Sequence, residues 1–120
     1  MEDMKSDMAG AATVMGIMEV VAALKLPVHI VCAFPTCENM PSGTSYRPSD
    51  VITAYNGKTI EMMNTDAEGR MILSDALAYI EKEYKPDVMI DLATLTGACI
   101  IALGYWATGM LSNDDQLCEE

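Results

Sequence analysis

The sequence predicts an α/β fold in which a mixed, largely buried β-sheet is flanked by helices. Two apolar runs, Val28–Phe34 and Val88–Ala93, have the length and continuous hydrophobicity of strands buried on both faces. Longer segments with helical patterns precede each run, one ending near Leu24 and the other spanning Met71–Tyr84. Since strands and helices alternate in this way in α/β proteins, we expect the two runs to be neighbouring strands of one sheet.

Composition limits the class of protein further. A chain of 120 residues forms one domain at most, and a hydrophobic content of 51% argues against disorder. The net charge is −11, and the seven Lys and Arg residues are scattered along the chain. A nucleic-acid partner needs a concentrated basic patch, so this balance favours a cationic partner or bound metal ions instead.

The cysteines form no C-x-x-C pair and His29 is the only histidine, which excludes a Cys/His zinc framework. We expect the four thiols to be reduced, as in a cytoplasmic protein; they are Cys32, Cys37, Cys99 and Cys118. His29 has two interpretations, a structural histidine or a ligand. The first residues lack the basic start and apolar core of a secretory signal.

Two further segments shape the expected fold. Ser6 or Asp7 begins a helix that runs to about Leu24, and its apolar residues surround the helix, which predicts burial between layers. The uncharged stretch Leu92–Ser112 approaches membrane-spanning length. Because Thr and Gly residues interrupt that stretch, we favour a buried strand, a loop, a short helix near 98–103 and a third strand at Tyr105–Leu111.

The middle of the chain is predicted to be a long loop followed by a hairpin. Pro35–Asp50 contains three prolines and a glycine, and we interpret its Glu38 as structural. Asn56-Gly57 is a strong hairpin signal, flanked by Val51–Tyr55 and Lys58–Met63. Near the end of the chain, Ser112 or Asn113 is expected to cap one more helix.

The stretch Asn64–Arg70 (NTDAEGR) admits two interpretations. As a helix start, it offers good capping residues and early acidic side chains that suit the helix dipole. As a metal site, it brings Asp66 and Glu68 together, since side chains two apart in an extended or turning backbone leave on one side. Two converging carboxylates need a cation, and Arg70 offers a fork of donors to an anion.

Several motifs together resemble the leucyl aminopeptidase (cytosolic aminopeptidase) family of two-metal exopeptidases. They occur in the family's order and near its spacing, and cover almost the whole chain: Met4–Gly10 (MKSDMAG), Cys37–Gly43 (CENMPSG), Asn56–Ile60 (NGKTI), Asn64–Tyr79 (NTDAEGRMILSDALAY) and Ala93–Ala98 (ATLTGA). The resemblance implies an aminopeptidase that removes residues, leucine-like ones preferred, from the N-terminus of peptides.

The resemblance also implies roles for individual residues. Asp7 would bind one divalent metal ion, Asp66 the other, and Glu68 would bridge both. Arg70 would hold a bicarbonate that acts as general base. The implied substrate-binding residues are Met4 in a side-chain pocket and a loop that holds the peptide, namely Thr94, Leu95 and Gly97.

The resemblance implies further that residues 1–120 are a partial catalytic domain, truncated at both ends. The family's metal-binding lysine and bridging aspartate, on a Gly-Lys-Gly and Asp-Ser-Gly-Gly stretch, have no counterpart here, nor has its second catalytic lysine. The implied cofactors are two divalent ions (Zn, Mn or Mg) with bicarbonate, and the implied assembly is a homo-oligomer, a hexamer. The alternative is a non-catalytic oligomerisation or metal-binding module derived from such an enzyme, without a membrane or nucleic-acid partner.

Overall fold

The computed structural model describes residues 2–119, which form helices and one β-hairpin. Their order along the chain is a 3₁₀ helix (Glu2–Met8), α1 (Ala9–Leu24), β1 (Val51–Thr53), β2 (Thr59–Glu61), a 3₁₀ turn (Thr65–Ala67), α2 (Glu68–Tyr84), α3 (Ala98–Leu103) and α4 (Asp115–Glu119). Helices and a small antiparallel sheet confirm the α/β class, as part of such a domain.

Helix α1 begins two to three residues later than predicted. Its first flanking residue is Met8, and no side chain caps the helix, so neither Ser6 nor Asp7 has the predicted capping role. The helix ends at Lys25, which adopts a left-handed conformation and donates its backbone N–H to the carbonyl of Ala22 at 3.3 Å. No residue of α1 is buried, so the predicted burial between layers is wrong within residues 2–119, where nothing covers the helix.

The helical run Glu2–Leu24 meets the length and composition expected of a membrane span. It has a mean hydropathy of 1.5 and carries few charges. Core helices of soluble proteins meet the same criterion, so this one run is weak evidence for a membrane. In Leu92–Ser112, the other uncharged stretch, the structure has only the six-residue α3.

The predicted hairpin is confirmed. Strands β1 and β2 pair antiparallel, with Ile52 opposite Ile60. Gly57 donates its N–H to the carbonyl of Ala54 at 2.8 Å and has φ of 84°, so a turn is followed by one left-handed residue, the position that glycine favours. Ala54 and Met62, at the two ends of this hairpin, are the buried apolar residues of the described structure.

Helix α2 starts three residues before the predicted Met71 and packs against the hairpin. Asp75 on the helix accepts the backbone N–H of Tyr55 at 2.8 Å, and the rings of Tyr55 and Tyr79 meet edge to face at 5.7 Å. The helix ends at Lys85, again in a left-handed conformation. The hairpin and α2 therefore hold the Asn64–Arg70 stretch between them.

The three other predicted strands are wrong for the part of the chain that the structure describes. Val28–Phe34, Val88–Ala93 and Tyr105–Leu111 form no strand, and most of their apolar side chains are exposed. A strand is stable only when a neighbour accepts and donates its backbone hydrogen bonds. Within residues 2–119 these runs have no such neighbour, so the sheet consists of two strands and is not largely buried. The last helix, α4, is capped by Asp114 instead of Ser112 or Asn113.

The surface area shows how little of this chain is covered by itself. Its accessible surface is 10193 Å², whereas a folded monomer of the same mass exposes about 6,300 Å². The radius of gyration is 16.3 Å, against about 13.6 Å for a compact domain of this length. Large apolar side chains are fully open to solvent, Trp106 at 98% exposure among them. Apolar surface on this scale requires a covering partner.

We therefore expect residues 1–120, expressed alone, to self-associate. Light scattering should give a mass above the monomer's 13.0 kDa, and a dye that binds apolar surface should fluoresce strongly. A monodisperse monomer that unfolds cooperatively and does not bind the dye would contradict this prediction.

Candidate active site

The acidic stretch is held at the start of α2 by its own backbone. Asn64 accepts the N–H of Asp66 on its side chain at 3.0 Å and the N–H of Ala67 on its carbonyl at 3.1 Å. This is the predicted capping interpretation, carried by Asn64. It leaves Asp66 exposed on the 3₁₀ turn and places Glu68 as the first residue of α2, so capping leaves both carboxylates free for other contacts.

Glu68 carries the main electrostatic irregularity of the site. Its Oε2 atom is buried and has no hydrogen-bond partner among the described residues. A buried carboxylate oxygen without a donor is unfavourable by about 1–3 kcal/mol or more, since it has lost its water. A proton or a cation would satisfy this oxygen, and carboxylate oxygens suit Zn, Mn and Mg ions. The residues present therefore fit a divalent ion at Glu68.

Tyr46 lies beside Glu68, and sequence reasoning missed it. Its hydroxyl is 3.4 Å from the carbonyl of Thr65, so it joins the long loop to the acidic stretch. The pKa of Tyr46 is raised by burial, and further by the negative charges of Glu68 and Cys37. A tyrosine within an irregular loop has no periodic signal, so only the fold reveals this contact.

Arg70 reaches towards the second predicted part of the site. Its Nη2 atom is 3.5 Å from the backbone carbonyl of Leu95, a long hydrogen bond that connects α2 with the Thr94–Gly97 loop. Within residues 2–119 no carboxylate forms a salt bridge with Arg70, where the described ion pair is Lys82 with Glu83. Most of the guanidinium donors are thus available to an anion.

Asp7 and Thr94 meet although 87 positions separate them. The Thr94 hydroxyl is 2.8 Å from Oδ1 of Asp7 and 2.9 Å from the carbonyl of the same residue. Gly10, one turn further along, makes this approach possible, because a Cβ atom there would lie within 2.1 Å of the Leu92 carbonyl oxygen. The fold therefore brings the start of α1 against the segment that leads into the substrate loop.

The three predicted carboxylates do not form a complete site by themselves. Among residues 2–119 no three Cys, His, Asp or Glu side chains lie close enough together to hold a metal ion, so the expected convergence of Asp7, Asp66 and Glu68 is not observed. Met4 is half exposed, and Gly97 flanks the start of α3, where its carbonyl accepts the N–H of Ile100 at 3.1 Å. The roles of these residues stay predictions.

Two shallow grooves lie apart from the predicted residues. One, of about 490 Å³, follows Thr36–Met40, and the other, of about 380 Å³, runs between Ala33–Thr36 and the Tyr55 and Tyr79 rings. Neither is lined by a residue of the predicted site. Ligand sites are concave and mostly enclosed, so the open shape of both grooves gives no reason to move the candidate site.

Comparison with known proteins defines the class of protein. All of residues 1–120 match the model of the cytosol aminopeptidase family, catalytic domain. The chain belongs to this family, and the resemblance stated from its motifs is confirmed. Within the family, it is similar to proteins named probable cytosol aminopeptidase in several bacteria.

These relatives are much longer than the chain. Identity is 59% over 120 residues with the protein of Chlorobium limicola, 61% over 117 residues with that of Chlorobium luteolum, and 57% over 120 residues with that of Nitrosospira multiformis. The matches cover 98–100% of this chain and 23–24% of each relative. The chain thus spans about a quarter of the length of the curated relatives it matches.

The close approach at Gly10 gives a prediction with a matched control in the same helix. Gly10→Ala should push Leu92 and Thr94 away from α1, at a cost of about 1–3 kcal/mol if the contact is kept. Gly16→Ala, where nothing lies within 4 Å, should be neutral or stabilise α1 by about 0.5–1 kcal/mol. Hydrogen exchange should show faster exchange at residues 92–96 in the Gly10 variant only; equal effects of both variants would contradict the close approach.

Proposed function

We propose that this chain is part of a catalytic domain that hydrolyses the N-terminal residue of peptides with the help of two divalent metal ions. Family membership supports the aminopeptidase activity. The observation that carries the metal dependence is the buried, unpartnered Oε2 of Glu68, which lacks the positive charge that an ion would supply. The zinc, manganese or magnesium preference of each position belongs to this proposal.

In this proposal three carboxylates hold the ions. Asp7 binds one, Asp66 the other and Glu68 both, and the ions supply an acidified water and polarise the peptide carbonyl. Asn64 keeps Asp66 exposed by capping its N–H, and Thr94 holds one oxygen of Asp7. The chain's own contribution is therefore to present these oxygens from a rigid helix start.

Arg70 and the neighbouring loop complete the proposed site. The guanidinium holds bicarbonate, the proposed general base, through donors not used by Leu95. Met4, Leu95, Thr94 and Gly97 contact the peptide, whose N-terminal side chain is leucine-like. The proposed protein is cytoplasmic and assembles as a homo-oligomer, a hexamer.

The proposed site needs ligands beyond these carboxylates, namely the lysine and bridging aspartate that the family resemblance implies. Removing one bridging oxygen weakens both ions, because each loses a ligand while the remaining carboxylates repel. We therefore expect residues 1–120 alone to bind metal weakly and to show little peptidase activity. The large exposed apolar surface favours a second candidate, a non-catalytic oligomerisation or metal-binding module.

A chimera separates these two candidates. Residues 1–120 replace the matching quarter of the Chlorobium limicola protein, which supplies the rest of the domain. The chimera should hydrolyse leucine amide when zinc or manganese is added, and Glu68→Gln in the chimera should abolish most of that hydrolysis. A folded chimera without activity would favour the non-catalytic module, and metal-independent turnover would contradict the role of Glu68.

Arg70 provides a second test in the same chimera. If Arg70 holds the base, Arg70→Ala should lower kcat by about 10²–10⁴-fold, the usual contribution of general base catalysis, with little change in manganese affinity. Arg47→Ala, which removes an arginine from the loop before the hairpin, is the control and should leave kcat unchanged. Unchanged turnover in the Arg70 variant would mean that this arginine only supports the Leu95 carbonyl.

A further inference from the structure

The hydrogen bond between Thr94 and Asp7 has a function that the substrate-binding role of Thr94 does not include. A threonine hydroxyl carries one proton, and both the carboxylate and the carbonyl of Asp7 lie within reach of it. The carboxylate, being charged, is the stronger acceptor and stands at the shorter distance, 2.8 Å. The proton of Thr94 is therefore committed to Oδ1 of Asp7.

Asp7 would otherwise have a competing structural role. It sits two positions before α1, where an aspartate readily turns to accept the free N–H groups of the first helical turn. In the structure no side chain caps α1, and the Asp7 carboxylate points to Thr94 instead. The bond from Thr94 thus withdraws Asp7 from capping and fixes its side chain in one orientation.

We infer that Thr94 is a positioning residue for Asp7, holding one carboxylate oxygen so that the other is presented to a divalent metal ion. The inference rests on the proposed function, since it assumes that Asp7 is a ligand. Ligating carboxylates are generally hydrogen-bonded by a second residue, which orients the ligand and fixes its charge. Oδ2 of Asp7 has no hydrogen-bond partner in the part of the chain that the structure describes.

Gly10 belongs to the same arrangement. Thr94 reaches Asp7 only because the backbone of Leu92 and Ala93 passes directly over Gly10, where a side chain would collide with it. The positioning bond therefore depends on two features far apart in sequence, a glycine in α1 and a threonine at the end of the second apolar run. It follows that Thr94 contacts a peptide through its methyl group or backbone, since its only donor is occupied.

The test measures manganese binding by the whole 120-residue chain, using the electron paramagnetic resonance signal of free Mn²⁺, which disappears on binding. Thr94→Val keeps the shape and removes the hydroxyl, and should weaken the Asp7-dependent affinity about 10–100-fold, the usual loss for an outer-shell partner. Thr94→Ser keeps the hydroxyl and should restore binding. Thr13→Val is the matched control: its hydroxyl bonds only the Ala9 carbonyl inside α1, and its affinity should equal that of the unmodified chain.

Asp7→Asn, measured alongside, separates the two levels of the argument. If Asp7→Asn weakens binding but Thr94→Val does not, or if Thr94→Ser binds as poorly as Thr94→Val, the positioning role is overturned while the metal site stands. If the unmodified chain shows no manganese binding that Asp7→Asn reduces, the proposed role of Asp7 fails, and the inference fails with it.

Discussion

The contact between the start of α1 and the segment before α3 is the constraint on which the candidate site depends. Gly10 removes the side chain that would collide with the Leu92 carbonyl, and Thr94 then closes on Asp7. The residues joined here are 87 positions apart, so the whole middle of the chain is enclosed between them. On the other side, Arg70 reaches Leu95 in the same loop, which links α2 to this junction.

Two unsatisfied features have one origin. The described residues leave Oε2 of Glu68 without a partner, and they leave most large apolar side chains exposed. One lost partner is unfavourable by about 1–3 kcal/mol, whereas each large side chain left in water forgoes about 1.5–3 kcal/mol of burial. Since many such side chains are exposed, apolar surface and not the carboxylate dominates the drive towards a covering partner. The match to a quarter of longer relatives indicates how much polypeptide surrounds this segment in their domain.

Sequence reasoning succeeded where the signal is local and failed where it depends on distant partners. Asn56-Gly57 predicted the hairpin, and the apolar face predicted α2, because turn and helix patterns lie within a few residues. Val28–Phe34 and Val88–Ala93 carry a strand pattern, but no described residue pairs with them. The motifs gave the family and named Asp7 and Thr94 separately; the bond between them, and the place of Tyr46 beside Glu68, required three-dimensional coordinates.

The central claim is that the start of α1, the acidic stretch and the Thr94–Gly97 loop surround one cation-binding position. Paramagnetic broadening of amide signals by Mn²⁺ in the nuclear magnetic resonance spectrum of the chain tests it most directly, because the broadening falls steeply with distance from the ion. We expect selective loss of signals from three separate segments, around Asp7, Glu68 and Leu95, at the same low metal concentration. Broadening centred on the acidic residues around Asp114, or spread evenly over all carboxylates, would contradict the claim.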